Sequence, residues 1–154
     1  MPRGLDEVLA EVPFFEDLPE DEIALIAGCA RNVHIDAGEM ILRQGDAADT
    51  FFVVRHGTVA VGNFVPPRGE LVIETLEAGD LLGWSWLFPP YRSHFDARAL
   101  STVRATQFDG ACLRDKCRAD PALGYDLMSR FAQVLIERLQ WTRLRLLDIY
   151  GDGR

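Results

Sequence analysis

The sequence predicts an α+β chain that is mainly β, with helices at both ends of an antiparallel sandwich or barrel. Three observations predict it. Gly38, Gly45, Gly57, Gly69 and Gly79 recur every seven to twelve residues through a strand-rich middle, which is the turn spacing of such folds. Acid-led helical segments precede that middle, and a long amphipathic pattern follows it. The 154 residues suit one domain, since a chain of this size buries roughly 68–70% of the surface it exposes when unfolded.

The lead-in reads as two short helices, LDEVLAEV and PEDEIALIAGCA, joined by PFFEDLP. Pro19 followed by Glu20, Asp21 and Glu22 suits a helix start, where carboxylates meet the positive end of the macrodipole. Residues 31–109 then give the strands NVHI, EMILRQ, TFFVVRHGTVAVGN, ELVIETL and DARALSTVRATQF. Within them FFVVRHGTVAV predicts a hairpin turning at His56 and Gly57. Helical signals return in GACLRDKCRAD, and Asp120 with Pro121 supplies an N-cap and a first-position proline for a helix over 121–150, ended by Gly151. Such a helix is about 45 Å long, more than one small domain can cover. It carries two apolar stripes, Leu127, Val134 and Trp141, and Met128, Phe131, Leu135, Leu139 and Leu146, which lie roughly 100° apart. One stripe is expected to pack on the β middle. The other, assigned to Leu127, Val134 and Trp141, is expected to make a homodimer interface.

Charge and composition narrow the function. Twenty-four acids against 16 bases give a net charge of −8, a field that repels nucleic acid unless a basic patch forms locally; specific DNA binding is not expected. No apolar run approaches the roughly 20 residues a bilayer span needs, and the N-terminus interleaves acids among its apolar residues unlike a secretory signal. A cytoplasmic location follows as the expectation. Cys29, Cys112 and Cys117 are an odd set without a CxxC pair, and Cys112 and Cys117 would sit roughly 140° apart around a helix; reduced structural thiols are expected. His34, His56 and His94 are dispersed, so no metal site is read. No nucleophile, base and orienting group assemble from spacing, and an enzyme is not expected.

The run DAGEMILRQGDAADTFFVVRHGTVAV, then LEAGDLLG, then the aliphatic helix, resembles the cyclic nucleotide-binding domain, and in particular the sensor half of the bacterial CRP/FNR regulators. The resemblance rests on Gly38, Glu39, Met40, Ile41, Gln44, Gly45, Asp46, Phe51 to Val54 and Gly57 and covers roughly residues 10–149. It implies one domain over 1–154, a double-stranded β-helix (a jelly-roll-like β-roll) over 31–109, and a C-terminal dimerisation helix. The chain stops at DIYGDGR, so the expectation is a sensor without the winged helix-turn-helix that usually follows.

In that family the ligand sits where Gly79 to Ala99 falls. A Gly-Glu pair opens a short helix whose N–H groups hold the cyclic phosphate, the Glu takes the ribose hydroxyl, and an Arg pairs with the phosphate. Here Gly83 is kept, Trp84 stands at the Glu position, and Ser93 stands at the Arg position with Arg92 beside it. The candidate cradle is therefore Gly83, Trp84, Ser85, Trp86, Arg92 and Ser93, with Thr142 and Arg143 of the long helix aligned to positions that reach the ligand base. Trp84 and Trp86 serve either as loop anchors or as an aromatic pocket wall. No cofactor is assigned with certainty; cAMP or another small anion is the candidate. The function expected is a non-catalytic regulatory module with an altered cradle. A true cAMP or cGMP binder and a protein-interaction module without a small ligand are the alternatives, so a small-molecule effector and a partner protein are both candidate partners.

Overall fold

The computed structural model describes residues 5–64 and 71–151. Eight strands and four α-helices follow in the order α1 (Leu5–Ala10), α2 (Glu20–Ala27), β1 (Ala30–Ile35), β2 (Met40–Leu42), β3 (Thr50–His56), β4 (Val59–Asn63), β5 (Leu71–Leu76), β6 (Leu81–Leu82), β7 (Asp96–Ala99), β8 (Val103–Asp109), α3 (Gly110–Ala119) and α4 (Pro121–Gly151). Two antiparallel four-stranded sheets, ordered β1-β8-β3-β6 and β2-β7-β4-β5, form the β-roll that the resemblance implied. Gly69 lies outside the described residues. The packing divides into two compact units, one running to Lys116 and the other from Cys117.

In the first unit, β3 explains the architecture. Its burial runs unbroken over Phe51 to Val54, so the strand lacks polar alternation because both of its faces are covered. Phe52 and Val54 point into the roll with Val59, Val61, Leu76, Leu82, Ala97, Ala99, Val103 and Ala105. On its other face Phe51 stacks on Phe108 with ring centroids 4.4 Å apart, and Phe108 meets Phe15 of the N-terminal lead-in at 5.7 Å. The chain thus builds an inner aliphatic core and an outer aromatic layer on opposite sides of one sheet.

The expected hairpin at His56 and Gly57 does not form. β3 pairs with β6 and β8, whereas β4 pairs with β5 and β7, so the chain crosses between sheets at this point. A two-residue hairpin turn needs positive φ at its central residues, and of His56 and Gly57 only Gly57, at +95°, has it. A Cβ at Gly57 would stand 2.3 Å from the Thr102 carbonyl oxygen, which makes the crossing specific to glycine.

The cysteine expectation is also corrected. Cys29 and Cys112 form a disulfide with Cα atoms 5.7 Å apart, leaving Cys117 as a free thiol. Spacing along the chain tests only local pairs. The roll returns β8 beside β1, with Ala30 opposite Phe108, and so joins a cysteine just before β1 to one just after β8.

In the second unit, Asp120 caps α4 by accepting from the Leu123 N–H at 3.3 Å, and Pro121 opens the helix as expected. Gly124 lets α4 turn close to α3, since a Cβ there would lie 3.2 Å from the Cys117 carbonyl oxygen. No described helix is long and apolar enough to cross a membrane.

Candidate functional site

The turn between β6 and β7 gathers the candidate cradle. Gly83 adopts φ +100° and passes so close to β3 that a Cβ would sit 3.1 Å from the Thr50 carbonyl oxygen. The helix expected after it is a single 3-10 turn, Ser85–Leu87, closed by the Leu87 N–H donating to the Trp84 oxygen at 3.0 Å. So few aligned peptides do not sum to a macrodipole, which corrects the expectation of a helix end presented to an anion. Trp86 is fully buried and stacks on Phe51 at 4.9 Å. It anchors the turn in the outer aromatic layer. Trp84 is half-buried.

Beyond the turn, a cis Pro89–Pro90 bond and Tyr91 at φ +55° bring the loop back against the Gln44-Gly45-Asp46 corner. Gly45 N–H donates to the Ser93 oxygen, Ser93 N–H to the Asp46 oxygen, both at 2.9 Å, and Ala48 N–H to the Tyr91 oxygen at 2.7 Å. Arg92 pairs with Ala47 in an isolated antiparallel bridge. Neighbours in such a ladder point to opposite sides. Ser93 is accordingly buried, its hydroxyl donating to the Phe95 oxygen at 3.3 Å, while Arg92 is exposed and donates to the Gly45 oxygen at 3.0 Å. The bridge thereby fixes which of the two residues faces inward: the inward position holds serine, and the cation faces outward.

Three residues that sequence reading passed over complete the site. Asp96, 5% exposed, accepts from the N–H groups of Gln44 at 2.8 Å and Phe64 at 2.9 Å, tying the corner to the start of β7 and the end of β4. An acid opening a strand whose two alanines are buried was the available signal, because a buried carboxylate requires donors. Ser85 and His94 share a hydrogen bond at 2.9 Å. Arg114 of α3 donates to the Trp86 oxygen and lies over the Tyr91 ring at 4.2 Å. The turn is held from the side of α3 as well as from the sheet.

Thr142 and Arg143 belong to the second unit and are exposed; the Thr142 hydroxyl donates back to the Arg138 oxygen at 2.9 Å. Of the expected interface stripe, Leu127 is fully buried within the single chain and has no surface to offer a partner. Val134 is half-buried, and Trp141 is 68% exposed. The stripes divide differently from the expectation, because Leu123, Leu127 and Phe131 form the buried side of α4 while Met128, Leu135, Ile136 and Leu139 are exposed. Among the described residues no group of three or more His, Cys, Asp or Glu side chains could hold a metal ion.

A β-roll of two four-stranded sheets with a stitched turn between β6 and β7 is the fold of cyclic nucleotide-binding domains. The chain belongs to the cyclic nucleotide-binding domain family, whose profile matches residues 32–120. It is 25% identical over 145 residues to a CRP-like cAMP-activated global transcriptional regulator of Mycobacterium tuberculosis, covering 94% of this chain and 63% of that protein. It is 30% identical over 106 residues to human cGMP-dependent protein kinase 2, covering 68% of this chain and 13% of the kinase. The chain thus spans less than two thirds of either relative. Among solved structures, it is similar to a candidate cyclic nucleotide-binding protein from Geobacter metallireducens GS-15, with TM-score 0.79, 27% identity, and coverage of 90% of this chain and 99% of that one. The sensor domain of the transcriptional regulator DNR from Pseudomonas aeruginosa shares the fold at TM-score 0.69 and 16% identity, covering 90% and 95% of the two chains.

Proposed function

We propose that this chain is a cytoplasmic, non-catalytic regulatory module that dimerises through α4 and whose altered cradle holds cAMP weakly, serving another small ligand or a partner protein. One observation carries the reading. Ser93 occupies the buried position aligned to the phosphate-pairing arginine, while Arg92 is turned outward onto the Gly45 oxygen. Trp84 in place of a glutamate removes a second anchor, since an indole donates but does not accept a hydrogen bond. A charged hydrogen bond contributes about 1.5–3 kcal/mol, so each loss costs roughly one to two decades of cAMP affinity. The homodimer rests on the exposed apolar row Met128, Leu135 and Leu139 along α4.

Calorimetric titration with cAMP, cGMP and inorganic phosphate tests the cradle. Weak or absent cyclic nucleotide binding in the wild type, with a gain of about tenfold or more for Ser93→Arg, is the expected result. Submicromolar cAMP binding by the wild type would overturn it. That outcome belongs to the second reading, a true cAMP or cGMP binder, which the similarity to a cAMP-activated regulator and a cGMP-dependent kinase favours.

A further inference from the structure

A cavity of about 410 Å³ opens in the first unit beside the disulfide, lined by Cys29 and Cys112 together with Arg31, Asp49, Thr50 and Asp109. We propose that the Cys29–Cys112 pair is a site of reversible thiol–disulfide exchange, entered through this cavity by a small-molecule thiol, and that its reduction loosens the cradle through α3. The volume is within the range that admits a small ligand. Cys29 is 7% exposed and Cys112, half-buried, is the more accessible of the two, which directs the incoming thiolate to the Cys112 sulfur. A bond forms between the thiol and Cys112 Sγ, the bond to Cys29 Sγ breaks, and Cys29 leaves with the electron pair and takes up a proton from water. A second thiol then cleaves the mixed disulfide. The two external thiols are oxidised to their disulfide, and Cys29 and Cys112 are reduced. In a compartment rich in thiols, a disulfide that reagents reach in the folded state is a transient element.

The consequence travels through a short stretch of α3. Cys112 ties this helix covalently to the end of α2, Lys116 donates to the Leu25 oxygen at 2.7 Å, and Arg114, between them in sequence, holds the Trp86 oxygen and covers the Tyr91 ring. Reduction removes the covalent member of this set and leaves Arg114 on a helix tied to α2 by a hydrogen bond. The cradle turn is then supported by a looser frame.

The test uses the whole chain in glutathione buffers of graded redox ratio without denaturant, read by differential alkylation, intact mass and amide hydrogen exchange. The expected result is loss of the cross-link as reduced glutathione rises, a glutathione adduct trapped on Cys112 but not on Cys117, and about tenfold faster exchange across residues 86–92 in the reduced protein. Cys29→Ser should accumulate the Cys112 adduct and exchange like the reduced wild type. If that variant does not fold, the reduced wild type still gives the exchange measurement. A cross-link that yields only in denaturant overturns the exchange site, and unchanged protection at 86–92 after native reduction overturns the coupling.

Discussion

Replacing Asp96 with Asn should cost more than almost any other single-atom change in the first unit. The carboxylate is nearly fully buried and accepts two backbone N–H groups, from Gln44 at 2.8 Å and Phe64 at 2.9 Å. The amide keeps the shape but turns one acceptor into a donor, so one N–H faces an N–H and the remaining bond loses its charge. One charge-assisted bond lost amounts to about 1.5–3 kcal/mol, and neutralising the other roughly halves it; the total is about 3 kcal/mol. For a chain of this size that lowers the melting temperature by roughly 6–12 °C. Asp80 is the internal control, because it accepts the Glu77 N–H at 2.9 Å in an exposed turn and Asp80→Asn should fall within about 0.5 kcal/mol of wild type. Thermal and urea unfolding of both variants decide the matter. Equal, small effects at the two positions would show that water or backbone relaxation satisfies the Gln44 and Phe64 donors, and the account of Asp96 as the tie across the cradle would fail.

Two further outcomes follow from α4 and the elbow before it. Leu139, 50% exposed, lies on the apolar row proposed as the dimer seam, so Leu139→Asp should weaken the dimer about a hundredfold while Trp141→Ser leaves it intact. Light scattering of both variants across a dilution series checks this, and a monomeric wild type at micromolar concentration would refute the seam. Burial, with the charge of Asp120 second, pushes the Cys117 thiol above its ordinary range. The folded chain therefore holds that proton more tightly than the unfolded chain does. Its contribution to stability is intact below the ordinary thiol range and is lost as pH rises through the raised folded value. The pH profile of Cys117 alkylation should have a higher midpoint in native protein than in urea; coincident midpoints would contradict it.

Much of the fold was legible because its signals are local. The Asp120-Pro121 start of α4, the acids opening α2 and the apolar run of β3 each speak about their own neighbourhood, and each element stands where it was expected. Pairing was less legible. The residues of β3 and β4 are close in sequence, but β3 pairs with β6 and β8 and β4 with β5 and β7, so proximity pointed to a hairpin that the roll does not use. β6 has two residues, too few for any periodicity. The cradle divides in the same way. Its positions could be aligned, but the side of the chain on which Arg92 and Ser93 lie depends on the bridge to Ala47, and the roles of Asp96, Arg114 and the Cys29–Cys112 pair depend on contacts 28 to 83 residues apart.

The position of β8 between β1 and β3 also sets an order of events for a chain being made. β1 and β3 are synthesised early, yet they meet only through β8, whose partners run from Ala30 opposite Phe108 to Thr50 opposite Asp109. Until β8, which ends at Asp109 of 154 residues, has emerged, the Phe51–Val54 run has neither of its covering layers complete and presents apolar strand to its surroundings. Long-range closure of this kind is slow because the loop entropy is lost before the contacts form. Shortened versions ending before residue 103 should therefore aggregate rather than fold, and slow translation upstream of β8 would lengthen the interval in which the nascent chain needs protection.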